Sequence, residues 1–146
     1  MEEIIQEKIS ADHLLYVSLK YTKTCDVIMN LLLRWRGMIE TSIEAILRHA
    51  KKKGKIKEIP DNIVHKISTI EELFKDDKEF LKVVEFYKML RKLEKLKQER
   101  RGEFRKNVTL KLYFQGKEIE VNLDKLKEYS DMLEKFISTT KQFLLS

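Results

Sequence analysis

At 146 residues the chain has the length of one domain, long enough to bury a core and too short for two large ones. Hydrophobic content of 42% beside 37% charged residues excludes a disordered chain, and no apolar run approaches the roughly 20 residues of a membrane-spanning helix. A net charge of +6 favours anionic partners, and a single cysteine excludes an internal disulfide.

One proline and four glycines leave few helix breakers. The N-terminus, acidic and polar, is unlike a signal peptide, so a cytoplasmic location without membrane contact is expected. Ser10 reads as the N-cap of a helical segment, with Ala11 and Asp12 behind it. Apolar residues then recur at helical spacing, including Leu15, Cys25, Ile28, Leu32, Trp35, Ile39, Ile43 and Ile46. The pattern runs to Lys53 and Gly54, and one straight helix of this length would span about 64 Å. A bend is therefore expected, at residues 22–24 or at Gly37.

Residues 55–62, around Pro60, read as a loop, and 63–75 as a short helix. Asp76 and Asp77 open a helix predicted over 78–105, with Phe80, Val84, Tyr87, Leu93 and Phe104 on its apolar side. After it the period drops to two: Val108, Leu110, Leu112 and Phe114 alternate with polar residues, as do Ile119 and Val121. Gln115-Gly116 between these runs predicts a tight turn. Asn122 or Asp124 starts the last helix. The expected fold is mainly α: one domain over 1–146, an antiparallel helical bundle with one β-hairpin (about 108–121) inserted before the last helix.

Most enzyme signatures are missing. His13, His49 and His65 are scattered without companions at ligand spacing, so no metal and no cofactor is expected. The sequence has neither a glycine-rich phosphate loop nor a nucleophile elbow. Cys25 and Trp35 lie on the apolar stripe and read as core. Glu40 and Glu44 could pass for a catalytic pair, yet Arg36, Glu40, Glu44 and Arg48 fall at successive i,i+4 steps, which predicts a charge ladder.

Between residues 91 and 111, nine bases face three acids, an excess of six that equals the net charge of the whole chain. A positive field so concentrated attracts polyanions, nucleic acid above all. Arg100 falls on the apolar stripe of the predicted helix, where an arginine either snorkels to water or faces inward with a purpose.

The order of N-terminal helices, loop, long helix ending in arginine-rich polar sequence and final helix resembles the HEPN superfamily. That resemblance implies a homodimer that binds RNA or cuts it without metal, through an arginine followed after four to six residues by a histidine. Six and five residues separate Arg100 and Arg101 from Asn107, which stands where the histidine would be. On this reading Arg100 and Arg101 contact the bound or scissile phosphate, Asn107 orients it, and Lys97, Arg105, Lys106 and Lys111 supply the field. Asparagine cannot exchange a proton near neutral pH, so binding without cleavage is one expected outcome. The alternative is a structural or protein-interaction helical module with no nucleic-acid role, its apolar stripes serving a protein partner.

Overall fold

Glu2 and Glu3 put negative charge at the positive end of the first helix, α1 (Glu2–His13). In the computed structural model, which describes residues 1–146, this helix runs on through a wider π-helical turn (Leu14–Ser18) and a final turn (Leu19–Tyr21). The helix thus begins eight residues before Ser10, because Ile4 reaches the core at 1% exposure and draws the first turns into the packing. The chain then breaks at residues 22–24, and Gly37 stays helical. Thr24 caps the next helix, α2 (Cys25–Lys52), its hydroxyl accepting the Val27 N–H at 3.3 Å.

Three more helices start on side-chain caps of the same kind. Asn62 accepts the His65 N–H at the head of α3 (Ile63–Leu73), and Asp77 accepts the Phe80 N–H at the head of α4 (Lys78–Leu90). Asn122 accepts the Lys125 N–H at the head of α5 (Leu123–Leu145). The fold is mainly helical, and no helix is long and apolar enough to cross a membrane.

α2 is the central element. It packs against α1, α4 and α5, and its buried stripe from Cys25 to Ala50 feeds one hydrophobic core. Two aromatic clusters tie the helices together. Trp35 meets Phe86 and Tyr129 edge-on, and Phe80 stacks on Phe74 and leans on Phe136.

The predicted charge ladder on α2 does not form. Arg36 pairs with Glu94 at 2.6 Å, Glu40 accepts the Tyr87 hydroxyl at 2.9 Å, and Glu44 pairs with Lys66 at 2.6 Å. Each half-exposed side chain finds a better partner on a neighbouring element than one turn away. The Arg36 guanidinium also donates to the carbonyl of Leu90, the last residue of α4.

That clamp helps to explain the largest departure from expectation. The helix predicted over 78–105 ends at Leu90; a 3₁₀ turn (Leu93–Lys95) follows, then strand β1 (Lys97–Arg101). Leu93, fully buried, anchors the turn to the core. β1 joins β2 (Thr109–Phe114) and β3 (Lys117–Val121) in a three-stranded antiparallel sheet with β2 in the middle. Lys-Gln-Glu-Arg-Arg consists of good helix formers, yet β1 satisfies the backbone groups that β2 would otherwise leave bare along one edge.

The Arg36 clamp carries a pH-dependent prediction. Its hydrogen bonds hold the Glu94 carboxyl below the usual carboxylate range. A lowered folded-state pKa means stability that is present at neutral pH and lost as pH falls through that value. Because Glu94 is largely exposed, the Glu94→Gln variant should lose only about 0.5–1 kcal/mol at pH 7, and the gap from the parent should close in strong acid. Urea unfolding at several pH values checks this; a gap that persists at pH 2 would mean the contact is not electrostatic.

Candidate nucleic-acid interface

Residues 102–108 join β1 to β2 by two successive turns. The Arg105 N–H donates to the Gly102 carbonyl at 2.9 Å, and the Val108 N–H to the Arg105 carbonyl at 3.0 Å. Gly102 opens the first turn at φ +65, a conformation open to glycine; Phe104 occupies the third position of that turn at φ +68. The turns are fastened to the break between α1 and α2. The Phe104 N–H donates to the Lys23 carbonyl at 2.7 Å, and the Glu103 carboxylate accepts the N–H of Cys25, the first residue of α2.

Cys25 shares this junction as a buried thiol that donates to the Thr109 carbonyl at 3.3 Å. Burial, reinforced by the neighbouring Glu103 carboxylate, pushes it up to about 12, so it stays protonated and is a packing group, not a nucleophile.

The sequence-predicted residues fall into three sets. Arg100 and Arg101 are consecutive on β1, so their side chains leave opposite faces of the sheet. Arg100 lies at 2.7 Å from Asp26 in the first turn of α2; Arg101 lies at 3.0 Å from Glu99 on the outer face. The expectation that both hold one phosphate is corrected by the strand, which sends consecutive side chains to opposite faces.

Lys111 is corrected on other grounds. It is buried at 7% exposure, 2.5 Å from Glu118 and 3.8 Å from both Glu99 and Glu120. The Glu118 contact raises its pKa, and its charge is met within the sheet, leaving no field for an outside anion. Lys97 rests over the Tyr113 ring at 5.5 Å and makes no ion pair.

The third set stays free. Arg105 and Lys106 are exposed and form no ion pair. Lys106 and Asn107 line a groove of about 510 Å³ together with Lys23, Thr109, Asp124 and Lys127. The groove also takes in Asn122 and Leu123, the N-terminus of α5, whose backbone adds partial positive charge. Three lysines against one aspartate therefore line a surface that suits an anion, with Arg105 next to Lys106 in the chain.

Sequence reasoning missed Lys23, Lys127, Tyr21 and Phe104. Nothing in their spacing marks the lysines, which only the tertiary fold brings to the groove. Phe104, expected on the apolar side of a helix, stands on a turn with 76% of its surface exposed. Its position between Gly102 and the Arg105-Lys106 pair was the available signal.

No group of three or more His, Cys, Asp or Glu side chains is placed to hold a metal ion. No protein-family model, curated protein or solved structure matches the chain.

Proposed function

We propose that this protein binds RNA through the 102–107 turns and the adjoining groove, as a non-catalytic binder. The observation that carries the reading is the grouping of Lys23, Lys106 and Lys127, cations without carboxylate partners, around one groove at the head of α5, with Arg105 next to Lys106 in the chain. Phosphate contacts from such groups supply sequence-independent affinity. Asn107 can donate a hydrogen bond to a phosphate or ribose hydroxyl, but its amide moves no proton at neutral pH. With Arg100 and Arg101 on opposite faces, the pair of guanidinium groups that cleavage would use is divided. Kinship with the HEPN superfamily, an antiparallel bundle with the hairpin ahead of the last helix, and a homodimer belong to this reading as proposals.

Charge reversal tests it. Arg105→Glu/Lys106→Glu should weaken binding to a short RNA by about 10- to 30-fold at moderate salt, as expected for losing two phosphate contacts and adding repulsion. The matched control is Lys52→Glu/Lys53→Glu, at the far end of the 28-residue α2, about 40 Å away. That end carries its own lysine run, Lys51 to Lys53 with Lys55 and Lys57, so the pair of variants also tells which basic surface is used. Equal losses in both variants would reduce the effect to net charge. A loss confined to the control would move the site.

A second reading, a protein-interaction module, is favoured by a different observation. On α1 and the turns that follow it, Ile9, Tyr16 and Val17 are exposed, and Ile9 borders a groove lined by Leu14, Leu33 and Arg34. A protein partner seated there would bury apolar surface and respond weakly to salt, opposite to RNA binding.

A further inference from the structure

Phe104 combines three properties that folding alone does not explain. It is a bulky residue at φ +68, in the left-handed region where a side chain crowds its own backbone. It occupies the third position of a turn, which glycine or asparagine normally fills when φ is positive. And its ring is 76% exposed, so the strain is not offset by burial. The turn is nonetheless held firmly: the Phe104 N–H is bonded to Lys23, the Glu103 carboxylate to the start of α2, and Arg105 N–H closes back on Gly102. A rigid backbone thus presents an aromatic face to solvent.

A second exposed aromatic stands close by in the chain. Tyr21, 77% exposed, precedes Lys23 by two residues, and the Lys20 ammonium lies over its ring at 5.8 Å. Phe104 is bonded to Lys23 itself. The two most exposed aromatic side chains of the molecule therefore flank one backbone contact, interleaved with Lys20, Lys23, Arg105 and Lys106. Cations alone suit any polyanion. Flat apolar rings among them suit one whose bases are free to stack, since every base offers a π-face and a duplex hides it.

We infer that Phe104, with Tyr21 as a second platform, stacks on unpaired bases, which makes the ligand single-stranded RNA. The inference rests on the RNA reading above and adds the ligand's strandedness to it. In this arrangement the cations hold the sugar-phosphate backbone in the groove while a base splays onto the Phe104 ring. Tyr21 receives a second base. Such stacking tolerates any sequence, so preference falls on strandedness more than on base identity.

The test compares a 12-nucleotide single-stranded RNA carrying 2-aminopurine with its duplex, using the full chain. Phe104→Ala should weaken single-strand binding by about tenfold and abolish the change in 2-aminopurine fluorescence, leaving duplex binding as it was. Phe104→Trp should retain both signals. Tyr21→Ala should weaken single-strand binding by a smaller factor. Phe104→Leu keeps apolarity without a π-face and should behave like the alanine variant. Phe104→Gly relieves the positive φ, so its thermal midpoint should hold or rise while single-strand affinity falls, a split that a merely structural residue would not show.

If Phe104→Ala binds the single strand as tightly as the parent while Arg105→Glu/Lys106→Glu still weakens it, the RNA reading stands and stacking is overturned. If the parent binds neither strand, both readings fall. If Phe104→Leu keeps full single-strand affinity, or the parent instead binds vesicles of anionic lipid in a Phe104-dependent way, the ring acts through apolarity alone and the inference is overturned.

Discussion

Replacing Phe80 with alanine should lower the unfolding free energy by about 3–5 kcal/mol, a large fraction of what a domain of this size has. Phe80 is 2% exposed and lies face to face with Phe74, centroids 3.9 Å apart, with Phe136 at 4.8 Å on another side. Its backbone N–H is also the one that Asp77 caps, so the ring is set at a fixed point of α4. Truncation removes the shared partner of an aromatic group that spans the α3–α4 connection, α4 and α5. Rigid rings on both sides cannot collapse fully into the space left. Phe80→Leu should cost less, about 1–1.5 kcal/mol, because most of the volume remains. Urea midpoints measure both; a loss under about 1 kcal/mol for the alanine variant would place the core's weight elsewhere.

The second large effect is expected at Gly102. Its φ of +65 is one reason, adding about 1–2 kcal/mol for any residue with a Cβ. The stronger reason is space. A Cβ there would sit 2.8 Å from both the carbonyl oxygen and the side-chain oxygen of Asn107, and 3.0 Å from its carbonyl carbon. Two of these atoms are backbone and cannot swing away. Gly102→Ala should therefore cost about 2–3 kcal/mol, or displace the 102–108 turns, and weaken RNA binding with them.

Gly54 and Gly116 provide the contrast. Both have positive φ with nothing within 4 Å of a new Cβ, so alanine there should cost only about 1 kcal/mol. Removing the Asn107 side chain should not rescue Gly102→Ala, since the backbone contacts persist. Equilibrium unfolding together with amide exchange over residues 102–108 reads the effect. A Gly102→Ala variant with parental stability and unchanged exchange would show that the turn does not depend on this close approach.

The helical character of the chain was legible because it is written locally. Apolar residues recur along α2 at 3.6-residue spacing, and Asp77 and Asn122 stand where side chains accept the first free N–H groups. What was not legible depends on partners far away in sequence. Nothing in Lys97–Arg101 signals a strand; the segment pairs because the edge of β2 lies beside it. Ser10 has the chemistry of a cap, but the burial of Ile4 starts the helix earlier.

The site divides in the same way. Arg105 and Lys106 stand out from local charge and Asn107 from the family resemblance; of the three, Lys106 and Asn107 line the groove. Arg100 and Arg101 fall at a helix end by local pattern, whereas the strand that forms there sends their side chains to opposite faces of the sheet. Lys111 looked like one more free cation, and only the register opposite Glu99 and Glu120 shows that its charge is already answered. Lys23 and Lys127 enter from more than 80 and about 20 residues away along the chain, brought by the α1–α2 break and the head of α5.

The most direct measurement of the central claim is the salt dependence of RNA affinity for the parent and for Arg105→Glu/Lys106→Glu. Four cations on the phosphates of a single strand should give a slope of log K against log salt of about −3 for the parent, roughly halved in the variant. A shallow slope shared by both proteins, or no measurable affinity at low salt, would contradict an anion-binding surface at the 102–107 turns.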